Sequence, residues 1–146
     1  MWKNKEVSTT MIRNAAPSDL DDVRNYDRHI PLPRLEDCIR RGQVDLLLID
    51  GRICGILRWN LFWQSIPFLD LIYLDDAVRG RGYGSEMMAH WERSMAALGY
   101  EDVLLSTQED ETSKFFYEKL GYRLCGAFLP PDQEARELMY RKELKQ

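Results

Sequence analysis

The stretch Arg79-Gly80-Arg81-Gly82-Tyr83-Gly84 constrains this chain more than any other, because of what flanks it. An apolar run from about Ile66 to Leu74 reads as a strand and leads into it through Asp75-Asp76-Ala77-Val78. After it, Met87, Met88, Trp91, Met95 and Leu98 fall on one face of a helix that Gly99 ends. Three glycines in six residues remove side chains that would hold backbone amides away from an anion. A helix opening behind them adds partial positive charge. Read alone, the hexamer is equally a solvated turn. Its context decides.

Upstream, Thr10 to Arg13 reads as a strand, and Pro17-Ser18-Asp19 opens a helix carrying Leu20, Val23 and Tyr26. A proline-broken connection, Ile30 to Pro33, precedes a second helix from about Arg34 to Arg41. That helix has Leu35, Cys38 and Ile39 on one face and a stop at Gly42. Val44 to Ile49 is a strand, and Asp50-Gly51 is a two-residue hairpin signal. Arg52 to Trp59 alternates Ile53, Gly55, Leu57 and Trp59 against Arg52, Cys54, Ile56 and Arg58, which makes an antiparallel pair. Asn60 to Ser65 is then an aromatic connection. Downstream come a strand at Val103 to Ser106, a helix at Asp110 to Leu120 closed by Gly121, and two strands, Tyr122 to Leu129 and Glu137 to Leu144, around Pro130-Pro131. The order βα, α, βββ, α, β, α, ββ predicts an α/β (α+β) fold. Its central sheet is mixed and mostly antiparallel, flanked by about four helices, in a single domain over residues 1–146.

Composition narrows the function. Hydrophobic residues at 45% and charged residues at 30% describe a globular chain, and 146 residues suffice for a real core. A net charge of −4 argues against a general nucleic-acid binder, which needs a basic face, and suits a cationic small molecule. Cys38, Cys54 and Cys125 lie far apart with no C-x-x-C and read as reduced, buried fillers. His29 reads as a loop residue and His90 as a solvent-facing helix residue, so no metal site is implied. The amino-terminal MWKNKEVSTTM lacks the apolar run of a signal peptide, and Leu46-Leu47-Leu48-Ile49 is too short to cross a bilayer. The expected location is the cytoplasm.

Three glycine patterns compete for the hexamer. A P-loop needs lysine and a hydroxyl after its last glycine, where this chain has Ser85-Glu86. The dinucleotide fingerprint needs glycine at position 85. Glu109 does stand where a ribose-binding acid is expected, but three antiparallel strands before the motif do not make a Rossmann half. The pattern [RQ]-x-x-G-x-[GA] fits at Arg79, Gly82 and Gly84. With the opening Ile12 to Leu20, the hairpin at Asp50-Gly51, the stretch Ile72 to Glu92 and the block Phe115-Phe116-Tyr117-Glu118-Lys119-Leu120-Gly121-Tyr122, the sequence resembles the GNAT superfamily of N-acetyltransferases.

That resemblance implies direct attack of an amine on the thioester of acetyl-CoA, the co-substrate, with no acyl-enzyme and no metal. By position, Arg79, Gly80, Arg81, Gly82, Tyr83, Gly84 and Ser85 would cradle the pyrophosphate, and the main chain of Ile72 and Leu74 would pair with the pantetheine arm along a splayed strand. Tyr117 matches the tyrosine that family members place beside the CoA sulfur, although an aromatic on a core face with Phe115, Phe116 and Leu120 gives the same pattern. Asp70 is the candidate base, on the face of Leu74 in an apolar run that would raise its pKa; it could equally face solvent or pair with Arg58. Asp110 stands where many members carry an asparagine that touches pantetheine or substrate, or else forms a capping box with Thr107. Trp59 and Trp63 would bracket a flat or cationic acceptor, with core burial as the alternative for each. The expected partner is a small-molecule amine, without nucleic acid or membrane and with a homodimer left open. A non-catalytic acetyl-CoA sensor and a protein acetyltransferase acting on lysine or an N-terminus are the alternatives.

Overall fold

The structure, a computed structural model, describes residues 8–145, so the amino-terminal stretch read above lies largely outside the described residues. The strands are β1 (Thr10–Asn14), β2 (Val44–Ile49), β3 (Arg52–Phe62), β4 (Ile66–Leu74), β5 (Asp102–Gln108), β6 (Arg123–Phe128) and β7 (Glu137–Glu143). The helices are α1 (Leu20–Tyr26), α2 (Leu32–Arg40), α3 (Tyr83–Ala97) and α4 (Ser113–Lys119). One seven-stranded sheet runs in the order β1-β2-β3-β4-β5-β7-β6. The β4–β5 pair is parallel, while β1–β2, β2–β3, β5–β7 and β6–β7 are antiparallel. Among the described residues the expected mixed, mostly antiparallel sheet with four helices is what forms. Among the described residues no helix is long and apolar enough to cross a membrane.

The chain groups into two compact units. One holds the described residues up to Arg58 together with Ile72–Met87; the other holds Trp59–Leu71 and the described residues from Met88 on. In the first unit, Val23, Leu35, Ile39, Val44, Leu46, Leu47, Ile56, Leu57 and Met87 are buried. Asp50 and Gly51 both have positive φ, 51° and 79°, the two-residue turn whose twist suits a hairpin. Helix α2 begins two residues before the expected start because Pro33 fits the first turn, where a missing N–H costs nothing. It stops at Gly42, whose φ is 71°.

Strand β3 departs from the sequence reading twice. It continues through Asn60, Leu61 and Phe62, so the turn shrinks to Trp63-Gln64-Ser65. Its register against β2 passes from Leu47↔Gly55 to Leu48↔Ile53, leaving Cys54 as a bulge. Arg58 is buried, and its Nε donates to Asp27 Oδ2 at 2.5 Å. Asp27 is fully buried and also accepts from the His29 amide at 3.2 Å. Burial pushes its carboxyl up, but the hydrogen bond and charge of Arg58, with hydrogen bonds from His29, outweigh it and hold the group below the usual carboxylate range.

In the second unit Trp59, Leu69, Met88, Trp91, Met95, Val103, Leu105, Tyr117, Tyr122 and Tyr140 are buried. The helix face read from Met87 to Met95 is correct, but Leu98 is 65% exposed because α3 has already ended. Helix α4 starts at Ser113 rather than Asp110. Phe115, expected on its core face, is exposed, and the buried residue of that helix is Tyr117. His90 is half-buried rather than solvent-facing. Cys38 and Cys54 are half-buried and Cys125 is exposed, so the cysteines are not core fillers, and all three are free thiols.

Candidate active site

The hexamer occupies the connection from β4 to α3, in the first unit. Backbone bonds tie Val78 to Asp75 at 3.0 Å and Arg79 to Asp76 at 3.3 Å, then resume only at Glu86, whose amide donates to Gly82 at 3.1 Å. Among the described residues the amides from Gly80 to Ser85 therefore have no backbone acceptor. Gly80 and Gly82 have φ of 74° and 88°, a conformation costly for residues with a Cβ. A Cβ built on either would meet nothing within 4 Å, so open space lies beside this backbone. Tyr83, Gly84 and Ser85 form the first turn of α3, whose dipole favours an anion by ~0.3–1 kcal/mol in exposed settings. Such a run of amides is suited to a pyrophosphate. Gly80, read from sequence as a variable position of the motif, is under the same backbone constraint as Gly82.

The loop has a built root. Arg79 Nε donates to the Leu74 carbonyl at 2.9 Å, one terminal nitrogen reaches Asp76 Oδ1 at 2.8 Å, and the guanidinium lies 5.0 Å from the Tyr73 ring centre. Tyr73 packs in turn on Tyr26 at 5.9 Å. The bulge at Cys54 leaves its carbonyl to accept the Asp75 amide at 2.8 Å. A Cβ at Gly55 would come within 2.6 Å of Leu74 Cδ2 and 3.1 Å of the Tyr73 carbonyl. Gly55 is thus required by close backbone approach; from sequence it was only an apolar strand position.

Strand β4 carries the other expected groups. Among the described residues its parallel ladder with β5 holds two pairs, Phe68↔Leu104 and Leu69↔Leu105, and Ile72 and Leu74 lie beyond its end. Asp70 is exposed rather than set in an apolar run, and its carboxylate accepts from Asn60 Nδ2 at 2.6 Å. Along the strand it alternates with Leu69, whose side chain is buried.

Tyr117 belongs to the second unit and is 8% exposed. Its ring meets Phe116 at 5.2 Å and Tyr122 at 6.0 Å, both edge to face. Burial, reinforced by the Glu111 carboxylate, pushes its phenol up to about 12. Below it, Tyr122 donates to Glu92 Oε2 at 2.9 Å, and Lys142 Nζ donates to Glu92 Oε1 at 2.7 Å. Burial first and Glu92 second raise the Tyr122 phenol further still. This support spans 30 and 50 residues of sequence, so no local pattern announces it.

The capping box between Thr107 and Asp110 does not form. Thr107 is buried in β5 with its hydroxyl 2.6 Å from Ser113, and Asp110 lies in the turn before α4. Trp59 is buried at 6% exposure while Trp63, on the turn, is 79% exposed, so the pair is divided between interior and surface. The extension of β3 accounts for this: Trp59 becomes a mid-strand residue, and Trp63 takes the left-handed turn at φ 55°. An open groove of about 1010 Å³ in the second unit, bordered by Glu92, Arg93, Arg123 and Lys142, contains none of the candidate residues. Among the described residues no cluster could hold a metal ion.

The acetyltransferase (GNAT) family model matches residues 11–122, which takes in the loop, β4 and Tyr117. No curated protein matches the sequence. Solved structures do resemble the fold. Ard1 from Thermoplasma volcanium superposes with a TM-score of 0.78 at 16% identity, over 94% of this chain and 99% of that one. The structure of yncA from Salmonella typhimurium with its cofactor acetyl-CoA gives 0.77 at 13%, over 94% and 95%. The ribosomal-protein-S18-alanine N-acetyltransferase from Escherichia coli gives 0.74 at 14%, over 94% and 96%. With the family match covering most of its length and the glycine loop set between β4 and α3, this chain belongs to the GNAT family of acetyltransferases, whose chemistry is transfer from acetyl-CoA.

Proposed function

We propose that the protein, acting as a single domain, moves an acetyl group from acetyl-CoA to the amine of a small molecule by direct attack in a ternary complex. The observation that carries this is the run of amides from Gly80 to Ser85 around two left-handed glycines. The loop, Arg79 to Ser85, binds the pyrophosphate. The main chain of Ile72 and Leu74, beyond the β4–β5 ladder, pairs with the pantetheine arm, and Asp110 borders it. The amine nitrogen bonds to the thioester carbon and its proton leaves to solvent through Asp70, whose exposed carboxylate suits a water-mediated route. The carbon–sulfur bond breaks, and Tyr117 meets the thiolate.

The pKa of Tyr117 sharpens its role. A phenol at about 12 holds its proton more tightly than a thiol near 8.5 by about 3.5 units, or about 5 kcal/mol. Complete transfer is uphill. Tyr117 therefore assists as a hydrogen-bond donor to the sulfur, which takes its final proton from water.

A second reading is an acceptor at a protein N-terminus. The expected aromatic enclosure of a small substrate is divided, with Trp63 79% exposed at a turn, where it could meet a larger partner. The Escherichia coli neighbour is by its name an N-acetyltransferase for an alanine of a ribosomal protein. A panel of amines together with N-terminal peptides, scored for CoA release from acetyl-CoA, tests both. Release with one class selects the acceptor. Acetyl-CoA binding without release for any acceptor favours a sensor, and absence of acetyl-CoA binding overturns the reading.

A further inference from the structure

The two arginines of the hexamer are placed differently. Arg79 is held three ways, by the Leu74 carbonyl at 2.9 Å, by Asp76 at 2.8 Å and by the Tyr73 face at 5.0 Å. Arg81 is exposed, and among the described residues it forms no ion pair. A guanidinium already facing a carboxylate offers less net attraction to a second anion, and one stacked on a ring keeps its plane fixed. An open guanidinium beside a run of amides remains available for bidentate bonding to phosphate.

We propose a division of labour in which Arg79 is a positioning residue that fastens the loop to the end of β4, while the side chain of Arg81 meets the phosphates of the donor. The inference rests on the reading of the loop as the acetyl-CoA site. The fastening acts where the strand becomes the loop. Leu74 is the last residue of β4, Asp75 is tied to the bulge carbonyl of Cys54, and Arg79 returns from five residues on to close over Leu74. Gly80 then starts the open amides. Without the fastening, β4 and the open amides would no longer share one fixed frame. Each of its three contacts is modest, so the effect is local order rather than global stability.

Two measurements on the full chain separate the roles: hydrogen exchange of the amides from 75 to 85, and acetyl-CoA titration at low and high salt. Arg79→Ala and Tyr73→Leu should each speed exchange across the segment, with the double variant no faster than either single one. Arg79→Gln, which keeps an amide donor for the Leu74 carbonyl, should recover part of the protection. Arg81→Gln should leave exchange unchanged and weaken acetyl-CoA binding roughly tenfold at low salt. Its deficit should shrink as salt screens the wild-type contact. Arg79→Ala should lose the same factor at both salts. Unchanged exchange in Arg79→Ala, or a deficit there that fades with salt, would overturn the assignment. If the wild-type chain binds no acetyl-CoA, the loop reading and the Arg81 role fail together, and the exchange data still decide the fastening.

Discussion

The two units hold their candidate groups by opposite physics. The first presents the proposed anion cradle, a run of backbone amides, and is anchored by charge: Arg79 on Asp76, Arg58 on the buried Asp27, Arg13 on Asp19. The second presents a phenol, Tyr117, held among buried rings and supported by Tyr122 on Glu92 and Lys142. Their titrations follow. Arg13 and the Ala16 amide hold Asp19 below its ordinary range, and Asp27 is held low as well. Tyr117, Tyr122 and Tyr140 are all pushed up, burial being the first cause in each. Tyr26, also raised by burial and then by Asp75, is the exception within the first unit. The contrast suits the proposed chemistry: an anion site needs fixed dipoles and charge, whereas a hydrogen-bond donor to a leaving thiolate must keep its proton.

The largest expected effect probes the charged anchor. Asp27→Asn removes a buried partner of Arg58 and should cost about 3 kcal/mol in denaturant melts at pH 7. A folded carboxylate held low adds stability that is present above about pH 4 and lost as pH falls through its lowered value, so the variant should show a flatter acid limb. An unchanged acid limb would mean that the first unit is not held by this charge. The second unit should respond at the other extreme. Tyr117 contributes stability in full below about pH 10, lost as pH rises toward about 12 at up to about 1.4 kcal/mol per unit. Tyr117→Phe should flatten that alkaline limb.

Smaller effects sharpen the comparison. Gly55→Ala forces a methyl against Leu74 and the Tyr73 carbonyl and should cost about 1–3 kcal/mol while weakening acetyl-CoA binding. Equal binding by that variant would show that the root of the loop does not set the cradle. Tyr117→Phe should slow turnover roughly 10-fold to 100-fold and leave acetyl-CoA affinity within about twofold, since a donor to the leaving sulfur acts mainly in the transition state. Turnover should show no falling limb from Tyr117 below about pH 11, because its phenol stays protonated there.

What was legible in the sequence follows the range of the forces. The hairpin at Asp50-Gly51, the stop at Gly42 and the face of α3 are set by neighbours within a turn or two, and the structure has them as read. The glycine loop was legible for the same reason. The buried pair of Arg58 with Asp27 was not legible, because the two lie 31 residues apart and no local pattern joins them. The end of β3 was read at Trp59 rather than Phe62 because the length of that strand depends on pairing rather than on its own residues. The exposure of Asp70 and the network of Glu92, Tyr122 and Lys142 likewise arise from tertiary packing, which a single sequence does not encode locally.

The central claim is that the glycine loop binds acetyl-CoA through its backbone. Calorimetric titration of acetyl-CoA into the wild-type chain and into Gly82→Val tests it most directly, with circular dichroism confirming that both fold. The account predicts a saturable isotherm for the wild type and a loss of at least about 100-fold in the variant, because a branched side chain there both strains the left-handed backbone and fills the space beside the amides. Equal affinity in the two folded proteins would contradict it.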